Sequence, residues 1–266
     1  MHRNKIYNEN CLETMRRLDA GSIDLTVTSP PYDDMRSFGG NQHFNFEEIA
    51  SELYRVTKEG GVLVWVVGDQ MKDFDESGTS FKQALYFKEI GFKLFDTMIY
   101  LKPTRGAVGN SFGYWQSFEY MFVLCKGRPK TINLIRDREN TYTSNKNLTK
   151  RLYDGQLKKV KPIEYNKNGR RGNVWKYNVG WMHSASDEYA HGHPAIFPEK
   201  LAQDHIISWS NKGDIVYDPF MGSGTVAKMA IATGRHYLGS EVNKEYYEIC
   251  LKRLEACQTQ LTAHIE

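Results

Sequence analysis

The sequence predicts an α/β fold wound around a mostly parallel, doubly wound sheet, and three observations predict it. Apolar runs of strand length alternate with stretches of helical spacing from residue 23 almost to the end. A glycine turn, Gly222-Ser223-Gly224, sits where one strand hands over to a helix. Finally, charge is unevenly spread: residues 126–176 carry 15 Lys and Arg against 4 Asp and Glu, so the rest of the chain is acidic although the whole is only +3. A basic insert therefore interrupts the winding.

Residues 5–10 read as a lead-in to a helix over 11–18, and Gly21-Ser22 turns into a strand over 23–27. That strand empties into Thr28-Ser29-Pro30-Pro31-Tyr32. Two successive prolines make a stiff turn whose carbonyls lack a local donor. Ser29 adds a hydroxyl acceptor and Tyr32 a flat ring, a set that suits a planar group bearing an amine, such as a nucleobase. The same five residues also fit a plain proline turn with a core tyrosine. Residues 33–43, polar and holding Gly39-Gly40, read as a loop beside the site.

Phe46, Ile49, Ala50, Leu53 and Thr57 recur at helical spacing, and residues 58–61 end that helix before a buried strand over 62–67. A helix over 79–90 with Gly91 beyond it and a strand over 92–101 continue the pattern. The strand over 118–124 follows an aromatic stretch that includes Tyr114 and Trp115. Residues 127–190 lack a clear period and are too long for an idle loop inside a compact domain. Their cations interleave with Tyr142, Tyr153, Tyr165, Trp175 and Tyr177, as phosphate neutralisation with base stacking requires; a solvated lysine-rich loop is the plainer alternative. Within them Lys167, Arg170 and Arg171 can reach phosphates or base edges.

A helix over 201–208 leads to a strand over 214–217 and then to Asp218-Pro219-Phe220-Met221-Gly222-Ser223-Gly224-Thr225. Such a turn lets a ligand approach the backbone, and the helix behind it, over 226–233, offers N–H groups and a positive dipole end. The strand over 236–241 ends in Glu241, 19 residues after Gly222, the separation at which a strand-end carboxylate meets ribose hydroxyls. The ligand therefore contains a nucleoside. The last helix, over 244–258, carries Tyr247, Cys250, Leu251, Leu254 and Cys257 as the face expected to pack on the sheet.

The TSPPY and DPFMGSGT segments, with His193-Pro194-Ala195-Ile196-Phe197-Pro198-Glu199-Lys200-Leu201 between them, resemble the amino-methylating DNA methyltransferases over most of the chain. The order, catalytic segment first and basic insert in between, is that of the β group. The resemblance implies a Rossmann-like methyltransferase fold in permuted motif order: catalytic half 1–126, target-recognition insert 127–190, donor-binding half 191–266. It implies S-adenosylmethionine as methyl donor without a metal, duplex DNA as partner, and homodimers as a common arrangement.

Carried over by residue, Ser29, Pro30, Pro31 and Tyr32 hold the target base. Asp218, Pro219, Phe220, Gly222, Gly224 and Thr225 frame the donor's methionine end, Glu241 its ribose, and Pro194, Ala195 and Phe197 the remaining wall. Asn10 stands where the family carries an acid toward the donor's adenine, and Tyr114 and Trp115 fall where it helps hold the base. An exocyclic amine is a poor nucleophile, so acceptors at Ser29 and the Pro30 carbonyl would hold its N–H bonds and aim its lone pair at the methyl carbon. No cysteine intermediate is needed, and Tyr32 would stack on a base swung out of the duplex. Serine before the proline pair favours cytosine N4, with adenine N6 open.

The rivals are a nicotinamide-dependent oxidoreductase, suggested by the glycine pattern alone, and a DNA-binding protein of the same fold without catalysis; RNA or protein substrates also stay open. Cys11, Cys125, Cys250 and Cys257 lack paired metal-ligand spacing, and the longest apolar run, residues 62–67, is too short to span a bilayer. The expectation is a cytoplasmic enzyme.

Overall fold

A computed structural model describes residues 3–31, 44–102, 114–141, 144–145, 149–161, 163–164, 166–178, 184–185, 187 and 196–263. They form two compact units, Met1–Asn133 with Asn173–Glu266, and Leu134–Gly172. Tyr32, the 33–43 loop, Tyr142, Tyr165, Pro194 and Ala195 lie outside the described residues.

The first unit is built on an eight-stranded sheet: β1 (Lys5–Tyr7), β2 (Ile23–Thr28), β3 (Thr57–Val67), β4 (Lys93–Leu101), β5 (Phe118–Cys125), β6 (Val174–Lys176), β7 (Ile215–Asp218) and β8 (His236–Ser240). Their spatial order is β1-β8-β7-β2-β3-β5-β4-β6. Only β5 runs against its neighbours among these described strands. The helices are α1 (Cys11–Arg17), α2 (Phe46–Val56), α3 (Thr79–Glu89), α4 (Glu199–Trp209), α5 (Thr225–Ala232) and α6 (Lys244–Ala263).

Alternation along β3 and β5 divides the core. Leu63, Trp65, Val67, Phe122 and Leu124 face α1, α2 and α3 in one apolar cluster. Met121 lies on the opposite face, against α4. A parallel sheet buried on both faces is the expected outcome of this winding. Trp65 can be fully buried because its indole N–H donates to Gln83 Oε1 at 2.8 Å. On α2, Asn45 caps the helix reciprocally with Glu48, and Ile49, Ala50, Leu53 and Val56 turn inward.

Three expectations change. The lead-in at residues 5–10 contains a sheet-edge strand, Lys5–Tyr7, paired in parallel with β8. The turn expected at 58–61 lies within β3, where the register against β2 shifts and Gly60 takes φ +78°. A Cβ on Gly61 would come 2.9 Å from Lys58 O and 3.0 Å from Asp24 O, so the irregular crossing needs glycine there too. On α6, Leu251 is 43% exposed and Arg253 takes a buried position; charge partners, absent from any apolar count, decide the exchange.

The second unit consists of antiparallel pairings nested about one turn. Arg138–Glu139 pairs with Asn168–Gly169, Ser144–Asn145 with Ile163–Glu164, and Thr149–Arg151 with Leu157–Lys159. Asp154 and Gly155 close the turn, with Gly155 at φ +83° and Leu152 N–H donating to Gln156 O at 2.8 Å.

His205 on α4 is enclosed by Trp175, whose ring lies 4.6 Å away, and by Trp209, whose indole N–H donates to His205 Nδ1 at 3.2 Å. Burial pushes its pKa from 6.5 down to about 3. Below pH 6.5 the unfolded chain therefore takes up a proton that the folded one refuses, and stability falls with falling pH. This group should remove about 2 kcal/mol between pH 6.5 and 5. The raised carboxyl of Asp218 acts in the opposite sense over that interval, so the measure is the difference between two proteins: from pH 6.5 to 5 the urea midpoint of His205→Gln will gain on that of the unaltered protein, and an unchanged difference would contradict the assignment.

Candidate active site

The winding reverses between β2 and β7. From β2 the chain moves to β3 on one side, and from β7 it moves to β8 on the other, although β2 and β7 are neighbours, Val216 opposite Leu25 and Tyr217 opposite Thr26. Ligands of open α/β sheets bind beyond the carboxyl ends of strands at such a reversal. The proline segment leaves β2 there and the glycine loop leaves β7.

The two are joined directly. Thr28 Oγ1 donates to Asp218 Oδ1 at 2.6 Å across 190 residues of sequence, and both side chains are buried. The same carboxylate oxygen accepts from Phe220 N–H at 3.0 Å. Next to Thr28, Ser29 and Pro31 are half-buried and Pro30 is buried.

The glycine loop is held at successive amides. Met221 N–H donates to Ser240 O at 2.8 Å, and Gly222 N–H to Glu241 Oε2 at 2.7 Å. Glu241 Oε1 accepts from Asn243 N–H at 2.8 Å, so this acid braces the loop as well as ending the strand. Gly224, at φ +83°, begins α5 in a conformation that disfavours other residues, and a Cβ there would meet Cys250 Sγ at 2.3 Å. Gly239 matters for the same kind of reason: a Cβ would lie 2.0 Å from Met221 Cε and 2.7 Å from Asp218 O.

Burial pushes the Asp218 carboxyl up to about 7 against the pull of its Thr28 and Phe220 hydrogen bonds, with the nearby Glu241 charge adding to the rise. Its stabilising contribution is complete below its unfolded value of 3.8 and is lost as pH rises through about 7. Burial raises Glu241 too, opposed by backbone N–H groups of Asn243, Gly222 and Val242. These two raised carboxyl groups lie at the ends of neighbouring strands, and a cation brought close would draw both back toward their ionised form.

Other predicted residues fall as follows. Asn10 follows β1 and caps α1, its Oδ1 accepting from Leu12 N–H at 2.9 Å. Phe220 packs between Phe44 and Trp65, ring centroids 5.7 and 6.2 Å away. Pro219 opens the glycine loop, and Thr225 is buried with Oγ1 accepting from Arg253 at 3.1 Å. Phe197 is half-buried ahead of α4. Tyr114 and Trp115 are both exposed, in a stretch tied to the end of β3 by Gln116, which donates to Asp69 O at 3.2 Å. Lys167 and Arg170 are exposed in the second unit, whereas Arg171 pairs with Asp137, Nε to Oδ2 at 2.8 Å.

Three supporting residues were given no role by motif or periodicity. Thr28 stands inside the proline motif, but its partner could be named only once the strands were paired. Asp69 ends the β3 segment and accepts from Ser80 N–H at 2.8 Å, capping α3. Arg253, the third, reaches Ser223 O at 2.7 Å. A charged residue on the apolar side of α6 was the available signal.

A family profile described as DNA methylase matches residues 23–252. The orphan methyltransferase M.BamHII of Bacillus amyloliquefaciens is 56% identical over 240 residues, which cover 88% of this chain and 89% of that protein. Among solved structures, PvuII DNA methyltransferase (cytosine-N4-specific) superposes with a TM-score of 0.69 at 19% identity, covering 95% of this chain and 86% of the other. The M1.HpyAVI–SAM complex gives 0.62 at 20% identity, covering 94% and 98%. At such identities the two structures speak for the fold.

Removing the Thr28 donor leaves a buried carboxyl short of a partner. Thr28→Val should destabilise the protein by about 1–3 kcal/mol in urea titration, and Thr28→Ser should restore most of it. Equal stability of the valine variant would show that the bond contributes nothing.

Proposed function

This chain belongs to the DNA methylase family, and we propose that it moves the methyl group of S-adenosylmethionine to the exocyclic amine of a base turned out of duplex DNA, cytosine N4 ahead of adenine N6. The observation that carries this reading is the Thr28–Asp218 hydrogen bond, which sets the proline segment beside the glycine loop at the sheet's reversal. Transfer between two ligands needs two adjoining seats, and here one chain reversal supplies both.

The donor, when bound, supplies an electrophilic methyl on a sulfonium. Phe220, Gly222, Gly224 and Thr225 would frame its methionine end, Glu241 its ribose, Asn10 its adenine, and Phe197 with Pro194 and Ala195 the outer wall. The positive charge such a ligand brings would lower the raised pKa values of Asp218 and Glu241 toward ionisation. Ser29 and the Pro30 carbonyl would accept the amine's N–H groups and direct its lone pair, with Tyr32 stacked on the base. The reason for placing cytosine first is the family pattern in which serine before the proline pair is commoner among cytosine enzymes; a neutral hydroxyl accepts from either amine.

The second unit supports duplex DNA as substrate. A two-stranded ribbon matches the width of the major groove. Near its turn Lys150 lies directly opposite Lys158, with Arg151 and Lys159 in the flanking pairs, all exposed. Like charges opposite one another strain a ribbon until an anion joins them. On this reading the strongest grip is near the turn, with Lys167 and Arg170 at the opposite end of the ribbon, beside the Asn168–Gly169 pairing.

With labelled S-adenosylmethionine and unmethylated duplex DNA, nucleoside analysis should find N4-methylcytosine. N6-methyladenine would move the target base, and DNA left unlabelled by a protein that binds the donor would overturn the substrate. Ser29→Ala should lower kcat about 100-fold with little change in donor affinity; unchanged turnover would remove Ser29 from the mechanism. Lys150→Gln with Lys158→Gln should reduce the slope of log K against log salt by about 2, and an unaltered slope would deny the ribbon its DNA role.

A further inference from the structure

Arg253 has its side chain fully out of solvent on α6, and each of its three nitrogens donates. Nη1 reaches Ser223 O at 2.7 Å and both Ser223 Oγ and Thr225 Oγ1 at 3.1 Å. Nε reaches Asp187 Oδ2 at 2.9 Å and Nη2 reaches Glu199 Oε1 at 2.7 Å. Lys228 Nζ donates to the same two carboxylate oxygens, at 2.7 Å each. The four side chains close a ring of alternating charge that draws on α4, α5, α6 and the segment ahead of α4. Burial alone would raise Asp187, but hydrogen bonds and charge from Lys228 and Arg253 outweigh it and hold that carboxyl below its usual range.

As a brace between helices the ring has no advantage over apolar side chains of similar volume, because desolvation offsets most of the attraction. Apolar side chains cannot, however, hold a main-chain carbonyl and two hydroxyls. Arg253 does this at Ser223–Thr225, on the carbonyl and hydroxyl side of a loop whose amides are held by Asp218, Ser240 and Glu241.

We propose that Arg253 is a positioning residue for the methyl donor: its guanidinium sets the shape of Ser223–Thr225, and Asp187, Glu199 and Lys228 hold that cation in place at balanced charge. It acts through the loop. The inference rests on the reading of the glycine loop as the donor's seat.

Two variants separate shape from charge. Arg253→Lys keeps the charge but loses the planar fork, and Arg253→Met with Glu199→Gln removes one charge of each sign, leaving Lys228 paired with Asp187. In the full chain without ligand, both should speed amide exchange at residues 222–226 by about tenfold while α1 and α2 keep wild-type rates. Calorimetric titration with S-adenosylmethionine should show Kd raised about tenfold, with kcat at saturating donor within about threefold of wild type. Wild-type loop protection and Kd in either variant would reduce the ring to charge balance and overturn the proposal. Uniformly faster exchange across α4, α5 and α6 would make it a general brace, with the same consequence. Failure of the unaltered protein to bind the donor would instead defeat the donor-site reading, and loop exchange would still decide whether Arg253 shapes the loop.

Discussion

The structure depends on one constraint at the centre of its sheet: β2 and β7 lie side by side, and the chain leaves them in opposite directions. Their carboxyl ends therefore open a crevice at the reversal. Thr28 and Asp218 close its floor with a buried hydrogen bond. Strand pairing that failed to bring these two residues together would leave a carboxyl without its hydroxyl partner in an apolar interior, which is costly. The same bond therefore specifies the register and joins the two segments to which we assign the chemistry.

From that floor the site is built by restraint of main chain. The loop from Phe220 to Thr225 has amides held by Asp218, Ser240 and Glu241, and a carbonyl held by Arg253. Gly224 and Gly239 allow Cys250 and Met221 to approach where a Cβ would collide. A loop so fastened loses little entropy when a ligand arrives, and this preorganisation is what both tight donor binding and in-line transfer require. The charge-balanced ring at Arg253 and the raised carboxyl groups of Asp218 and Glu241 lie around the same short segment, so its electrostatics are set by buried groups rather than by solvent.

Much of this was legible in residue order. Long apolar strands such as Val62–Val67 and the amphipathic α2 announce themselves through burial pattern, and the two motifs declare their strand–turn contexts through proline and glycine. What escaped has physical causes. β1 and β6 are three residues each at the sheet edges, too short to show a period. The second unit exposes nearly every described ribbon side chain, so no alternation of apolar and polar residues marks its strands. Gly60-Gly61 reads as a stop but serves as an irregularity inside β3. Asp218 and Thr28 each stood in a recognised motif, yet their contact is a property of strand order, and strand order is not written in either motif. Arg253 was hidden because an apolar count cannot see a charge whose partners lie on other elements.

The most direct test is a crystal structure with S-adenosylhomocysteine, the donor without its methyl group. The account predicts the ligand at the β2–β7 reversal, its amino-acid end against Phe220–Thr225, its ribose at Glu241, and its sulfur facing Ser29. A ligand bound elsewhere, or one at the glycine loop with its sulfur turned from the proline segment, would contradict the claim that these two segments form one transfer site.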